Sequence, residues 1–162
     1  ASGGFDLEDL IAREDMVITV SQAGYIKRQS PETYRSQSRG GRGIAAMTTK
    51  DNDYVKDLFV SSTHDYLMFF SDKGKAYWLK VYNIPEGSRT ARGKAVINCI
   101  DIEPGEKITA FVPVDEFRDN QFLVMVTTKG IIKKVNLSAF SNPRKAGIIA
   151  IDLDPDDFLV NV

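Results

Sequence analysis

Val17-Ile18-Thr19-Val20-Ser21-Gln22-Ala23-Gly24 decides the fold, because the stretch occurs three times. Leu67-Met68-Phe69-Phe70-Ser71-Asp72-Lys73-Gly74 and Leu123-Val124-Met125-Val126-Thr127-Thr128-Lys129-Gly130 align with it, their glycines 50 and 56 residues apart. After each glycine comes a second β-rich run: Tyr25-Ile26-Lys27-Arg28, Lys75-Ala76-Tyr77-Trp78-Leu79 and Ile131-Ile132-Lys133-Lys134-Val135. A Ser or Thr and a polar residue ahead of Gly, between two such runs, is hairpin chemistry, since Gly takes positive φ there without strain. A second landmark follows in each unit. Gly43, Gly93 and Gly147 open the runs Ile44-Ala45-Ala46-Met47, Lys94-Ala95-Val96-Ile97 and Ile148-Ile149-Ala150-Ile151. A fourth run, Tyr54 to Val60 and Ile108 to Val114, closes the first two units, and the third ends at Phe158-Leu159-Val160.

Four short strands per unit, at a period of roughly 50 residues, is the arrangement of propeller-type blades. The expected fold is therefore all-β, with about three four-stranded blades in a partial wheel. A lead-in covers 1–15, of which 1–4 read as a cloning remnant. Blades follow at 16–65, 66–121 and 122–162, the last incomplete. Helix is expected only as single turns within Ser30–Ser36 and Asn136–Ser141. If blades share strands, an unpaired edge is expected near Phe158-Leu159-Val160 and another at the first blade. Such edges recruit other chains, so self-association of the fragment is expected.

Composition narrows the functional class. The chain has 162 residues, 43% hydrophobic and 27% charged, which suits a globular protein with a real core rather than a disordered one. No apolar run is long enough to cross a membrane, and Ala1-Ser2-Gly3-Gly4 does not read as a signal peptide. The single cysteine, Cys99, excludes an internal disulfide, fits a reducing cytoplasm and reads as a buried structural thiol. His64 is the only histidine and has no partners at ligand spacing, so it reads as hydrogen-bonded within its loop rather than as a metal ligand. Asp152, Asp154, Asp156 and Asp157 lack the Gly and closing Glu of a calcium loop and read as a solvated acidic segment. Trp78 reads as core or packing between blades. No metal site and no catalytic set is expected.

Net charge is −1, which by itself argues against a nucleic-acid partner, but the signs are not interspersed. Residues 16–47 carry Lys27, Arg28, Arg35, Arg39 and Arg42 against Glu32 alone, while 48–65 are net acidic. Residues 66–94 are net +4 and 95–121 net −4. Residues 122–147 carry Lys129, Lys133, Lys134, Arg144 and Lys145 with no acid, and 148–162 carry four aspartates and no base. If equivalent loops share a rim, the basic halves form a continuous stripe, which suits the continuous charge of duplex backbone.

The most specific local feature is Gln37-Ser38-Arg39-Gly40-Gly41-Arg42-Gly43. Three glycines let backbone N–H groups approach a phosphate closely, and the arginines supply forked donors. It is not a nucleotide-binding P-loop, since no Gly-Lys-Ser/Thr follows at the required spacing. It is not an RGG-type disordered tail either, being a single copy between strand signals. The segment resembles the seven-residue box of DNA gyrase A subunits, Gln-basic-Arg-Gly-Gly-basic-Gly, matching at Gln37, Arg39, Gly40, Gly41, Arg42 and Gly43. It departs at Ser38, where that family usually has Arg or Lys. Glu8 to Asp15, Gly24-Tyr25-Ile26-Lys27-Arg28, Ser62-Thr63-His64-Asp65 and Arg89-Thr90-Ala91-Arg92-Gly93 resemble the same family in the same order, from about Leu7 onward.

The resemblance implies a β-pinwheel, with strands exchanged between neighbouring blades and duplex DNA bent around a basic outer rim. It implies about three of the usual six blades. On this reading the box at 37–43 and the further basic residues Lys27, Arg28, Arg35, Arg89, Arg92, Lys94, Lys133, Lys134, Arg144 and Lys145 contact DNA without reading sequence. Catalytic Tyr, ATP and Mg would belong to other domains of the parent enzyme, so Tyr25, Tyr34, Tyr77 and Tyr82 are not expected to act chemically. Partners would be duplex DNA, the rest of the gyrase A polypeptide and the gyrase B polypeptide, and no membrane. The alternatives are the equivalent domain of topoisomerase IV, whose first blade lacks a well-formed box, and a protein-interaction propeller of the WD or kelch kind, whose blade signatures do not recur here.

Overall fold

The repeated Ser/Thr-to-Gly segments form three hairpins of one design. In a computed structural model describing residues 6–39, 53–88 and 90–162, with the side chains of 37–39 left aside, Gly24, Gly74 and Gly130 all have φ near +80°. Each glycine N–H closes the turn on the carbonyl of Ser21, Ser71 or Thr127, at 2.9, 3.0 and 3.0 Å. The hydroxyl of that same Ser or Thr accepts from the residue after the glycine: Tyr25, Lys75 and Ile131. The sequence signal for the turn is thus a pair of residues with separate jobs.

In chain order the strands are β1 (Asp15–Ser21), β2 (Tyr25–Gln29), β3 (Val55–Ser62), β4 (Tyr66–Ser71), β5 (Lys75–Lys80) and β6 (Lys94–Ala95). They continue as β7 (Ile108–Val114), β8 (Phe122–Thr127), β9 (Ile132–Asn136), β10 (Ile148–Ile149) and β11 (Leu159–Asn161). The sheets run β3-β1-β2-β6, β10-β5-β4-β7 and β11-β8-β9, all antiparallel. Two compact units contain them, Ala1–Asp65 with Lys80–Cys99, and Tyr66–Leu79 with Ile100–Val162. Each sheet therefore has a hairpin flanked on one side by a strand from later in the same repeat.

The other side is filled from the next repeat. β6 pairs with β2, Tyr25 opposite Ala95 and Ile26 opposite Lys94. β10 pairs with β5 in the same register, Lys75 opposite Ile149 and Ala76 opposite Ile148. Each donated strand is two residues long and follows a glycine with positive φ, Gly93 or Gly147. The sequence reading allotted longer runs here, to Ile97 and Ile151. Val96–Asn98 is instead a 3-10 turn, and Ala150 and Ile151 leave the strand to close on the Gly74 carbonyl. Exchanged strands match what the family resemblance implied.

β11 is an edge strand, as expected near Phe158-Leu159-Val160, and the same sheet has a second edge. Leu159–Asn161 pairs with β8, as β3 and β7 pair with β1 and β4 in their own sheets. Among the described residues it is β9 that has no fourth strand. Ile132, which takes the place of buried Ile26 and Ala76, is 68% exposed, and Ile131 before it 44%.

A nine-residue helix, α1 (Pro31–Arg39), replaces the single turn expected in the first repeat. Its start is well built. Ser30 Oγ accepts from the Thr33 N–H at 3.2 Å, Pro31 takes the first helical position and Glu32 sits in the first turn. In the third repeat only the 3-10 turn Leu137–Phe140 forms, with Asn136 accepting from the Ser138 N–H.

Acidic residues tie each hairpin turn to the strand entering behind it. Asp53 Oδ1 accepts from the N–H of Ala23 and Tyr54, at 2.9 and 3.0 Å. Glu106 accepts from Ser71 Oγ, Tyr77 OH and the Glu103 N–H. Asp157 Oδ1 accepts from Thr128 Oγ1, the Lys129 N–H and the Phe158 N–H, at 2.7 to 2.9 Å. A backbone bond of 2.8 Å accompanies each, from Gln22, Asp72 and Thr128 to the carbonyls of Tyr54, Lys107 and Phe158. Asp157 is therefore buried, not part of the solvated acidic segment expected from the sequence. In the second unit Met68, Phe70, Leu123, Met125, Leu137, Phe140 and Leu159 form one apolar core, with Phe70 edge-on to Phe140.

Two outcomes follow. A Cβ at Gly93 would lie 2.3 Å from the Ile26 carbonyl oxygen, whereas one at Gly105, also at positive φ, meets nothing within 4 Å. Gly105→Ala should lose about 1–2 kcal/mol from backbone conformation alone, and Gly93→Ala distinctly more, read from urea unfolding midpoints. Equal losses would mean the donated strand tolerates displacement. The second concerns Asp157. Desolvation raises its pKa, but hydrogen bonds from Thr128, Thr127, Lys129 and Phe158 outweigh that and bring it down to about 2. An unfolded aspartate titrates near 4, so this stabilisation is present above about pH 4 and lost as pH falls toward 2. Asp157→Asn should lower the melting temperature at pH 6, and its gap from the wild type should close by pH 2. A gap independent of pH would contradict the assignment.

Candidate nucleic-acid interface

The basic residues singled out from the sequence divide into three groups. Lys27 and Arg28 lie on β2 but do not face solvent as a rim contact requires. Lys27 is fully buried, its Nζ donating to the carbonyls of Ser88 at 3.3 Å and Ala91 at 3.0 Å. Arg28 donates from Nε to the Ile84 carbonyl at 2.6 Å and from Nη2 to that of Tyr82, and its Nη1 lies 3.6 Å from Glu86 Oε2. Both fail as simple surface cations because the chain from Ile84 to Gly93 runs over β2. Arg28 exchanges backbone hydrogen bonds with Pro85 and Gly87 along it.

A second group lies on or beside that covering loop. Arg92 stacks over the Tyr25 ring, 4.4 Å from its centroid, and Lys94 is exposed on β6 opposite Ile26. β2, its covering loop and β6 thus bring Tyr25, Arg92 and Lys94 together at one end of the first sheet. The pattern Arg89-x-x-Arg92-Gly93 repeats Arg39-x-x-Arg42-Gly43 at an offset of 50 residues. Arg89 itself falls outside the described residues, as do Gly40, Gly41, Arg42 and Gly43 of the box. Gln37, Ser38 and Arg39 belong to the last turn of α1 rather than to a loop, and Arg35 is exposed on the same helix.

The third group is in the second unit. Lys133 and Lys134 are exposed on β9, with Lys134 Nζ 4.1 Å from the Phe122 ring centroid. Arg144 and Lys145 are exposed in the turn that the Gly147 N–H closes on the Arg144 carbonyl. These two pairs sit on different sheets, on β9 and just before β10.

Residues set aside in the sequence have structural partners. His64 Nε2 lies 2.7 Å from the Ile11 carbonyl and Nδ1 3.2 Å from Glu8, which Lys80 also binds at 3.1 Å. With Thr63 Oγ1 donating to the Ala12 carbonyl, this straps the lead-in segment to the first unit. Trp78 donates to the Phe140 carbonyl. Cys99 is half-buried rather than buried; its Sγ lies 3.5 Å from the Ala95 carbonyl, and burial pushes the thiol pKa up. Tyr77 OH binds Glu106, and its pKa is raised by burial and by that carboxylate. Among the described residues no group of three or more His, Cys, Asp or Glu could hold a metal ion, and no helix is long and apolar enough to cross a membrane. The sequence reading missed the acids Asp53 and Glu106 as turn ties, and the covering of β2 by the 84–93 loop.

The family model described as the DNA gyrase C-terminal domain, beta-propeller, matches residues 15–62, 65–115 and 121–162. The DNA gyrase A polypeptide of Clostridium acetobutylicum is 52% identical over all 162 residues, and that of Haemophilus influenzae 47%. The chain spans only 20% and 18% of those two proteins. Among solved structures, a C-terminal domain of DNA topoisomerase IV matches 93% of this chain and 45% of its own length, with TM-score 0.77 and 30% identity. A DNA gyrase A C-terminal domain matches 91% of this chain and 47% of its own, with TM-score 0.66 and 26% identity. By fold, repeat and sequence, the chain belongs to the DNA gyrase C-terminal beta-propeller family.

Proposed function

We propose that the chain binds duplex DNA without sequence preference and wraps it, as an accessory part of a type IIA topoisomerase that introduces negative supercoils. The observation carrying this reading is the doubled Arg-x-x-Arg-Gly pattern. In its second copy Arg92 is already stacked on Tyr25 rather than free in solvent. Arginine in a fixed geometry suits phosphate, because its fork gives paired donors and little side-chain freedom is lost on binding. Phosphate contacts of this kind fix position and add affinity but read no bases. Exposed Lys94, Lys133, Lys134, Arg144 and Lys145 supply further charge.

Membership of the gyrase family supports the same reading, and six of seven box positions favour gyrase over topoisomerase IV. Duplex DNA, the remainder of the gyrase A polypeptide and the gyrase B polypeptide are the partners proposed for the whole protein, in the cytoplasm. Bond breakage, ATP and Mg are assigned to its other domains. A continuous basic rim is part of the proposal. So is association of the 162-residue chain with itself, through the exposed edge of β9.

Relaxing closed circular DNA in the presence of the purified chain should shift its linking number; an unchanged distribution despite binding would remove wrapping from the function. Arg39→Ala with Arg42→Ala should lower the slope of log affinity against log salt by about 2 units, near 0.9 per phosphate contact. Bending a short duplex costs of order 1–6 kcal/mol and must be met by contacts along its length. The double variant should therefore still bind DNA but bend it less, as read by energy transfer between duplex ends. Undiminished bending would show that the box is not the anchor. Sedimentation should show concentration-dependent association of the chain, reduced by Ile132→Lys on β9. A monomer at all concentrations would refute the edge.

A further inference from the structure

Lys27 occupies a position that its sequence context assigns to the surface, yet it is fully buried under the loop from Ile84 to Gly93. Two glycines make room for its stem. A Cβ at Gly87 would lie 2.8 Å from Lys27 Cδ, and one at Gly93 3.1 Å from Lys27 Cβ. Its Nζ reaches the Ser88 and Ala91 carbonyls, and Gln29 Nε2 reaches Ser88 as well. Burying an ammonium is unfavourable unless hydrogen bonds compensate, and burial pushes this one below the ordinary lysine range. An apolar side chain would support the underside of a loop without that penalty. The equivalent position on β5 holds Tyr77, whose ring lies where a side chain on Gly147 would be. The equivalent on β9 is Lys133, exposed to solvent.

Geometry gives the ammonium a use. A trans peptide points its C=O and N–H in opposite directions, so drawing the Ala91 carbonyl inward turns the Arg92 N–H outward. The same residue carries the guanidinium stacked on Tyr25. An outward N–H and a braced guanidinium on one residue are donors suited to phosphate.

We propose that Lys27 is a positioning residue for nucleic-acid binding, its ammonium holding the Ser88–Gly93 loop in the conformation in which Arg92 meets a phosphodiester, without touching phosphate itself. This rests on the DNA-binding reading above. The test measures duplex binding over a salt series for Lys27→Met, Arg92→Ala and the double variant. Each single variant should lower the log–log salt slope by about 0.9, the value for one phosphate contact, and the double variant by no more than either alone. Additive losses would mean that Lys27 contributes a contact of its own, and an unchanged slope in Lys27→Met would mean that it positions nothing; either overturns the proposal. Should Lys27→Met fail to fold, NMR of the wild-type chain decides. On adding duplex, the Arg92 Nε–H resonance should shift while the Lys27 ammonium resonance stays in place, and a shift at Lys27 with none at Arg92 overturns the assignment. If the wild-type chain binds no duplex, the DNA reading itself falls and the positioning role toward DNA with it. Trypsin cleavage after Arg92 then still separates the two failures: it is faster in Lys27→Met if the ammonium holds the loop, and unchanged if it does not.

Discussion

The structure depends on how the open side of a two-stranded hairpin is satisfied. β2 and β5 each turn a row of N–H and C=O groups away from β1 and β4, and in neither case does the same repeat supply the partner. The partner is a two-residue strand of the following repeat, delivered by a glycine whose missing Cβ allows the chain to approach. At Gly93 the space is taken by the Ile26 carbonyl, and at Gly147 by the Ala76 carbonyl and the Tyr77 ring. A blade of this kind is not finished until its successor has folded against it. Stability is then shared between neighbours, as in other repeat proteins. The arrangement also fixes both ends of the loop ahead of each donated strand, and those loops carry Arg92 in one repeat and Arg144 with Lys145 in the next.

Most of the hairpin framework was legible because it is local. The Ser/Thr hydroxyl, the Gly that closes the turn and the β-rich runs on either side lie close together in sequence, and each has one structural meaning. The partners of the donated strands were not legible, for the opposite reason. Lys94-Ala95 and Ile148-Ile149 are too short to carry a pattern, and their register is set by glycines and by residues some 70 positions away. α1 was underread although Ser30-Pro31-Glu32 is a strong start signal. Its residues lack an apolar stripe, and the apolar stripe is what usually distinguishes a helix from a turn.

Lys27 shows a different limit. Alternation along a strand assigns one face to solvent, which holds only if nothing lies on that face. In the first sheet the loop carrying Ser88 and Ala91 lies over Lys27, so a residue written as surface is interior. At the equivalent position on β9 nothing covers the strand among the described residues, and Lys133 is exposed. Sequence thus specifies the side chain and its direction, while a segment far along the chain decides whether that direction ends in water or in protein.

The acidic residues follow from the same distinction and alter the meaning of the charge pattern. Asp53, Glu106 and Asp157 recur once per repeat, but they follow their hairpin glycines by 29, 32 and 27 residues, so no fixed period aligns them. Their common feature is spatial: each meets the turn of its own hairpin from behind, where N–H and hydroxyl donors converge. An anion at that point is held by the fold, whereas Lys94, Arg144 and Lys145 lie in water. A net charge of −1 therefore averages acids fixed at the turns with bases exposed to solvent. Segregation of sign along the chain is in this sense two patterns laid together, acids that close the hairpins and bases that the closed hairpins leave outside.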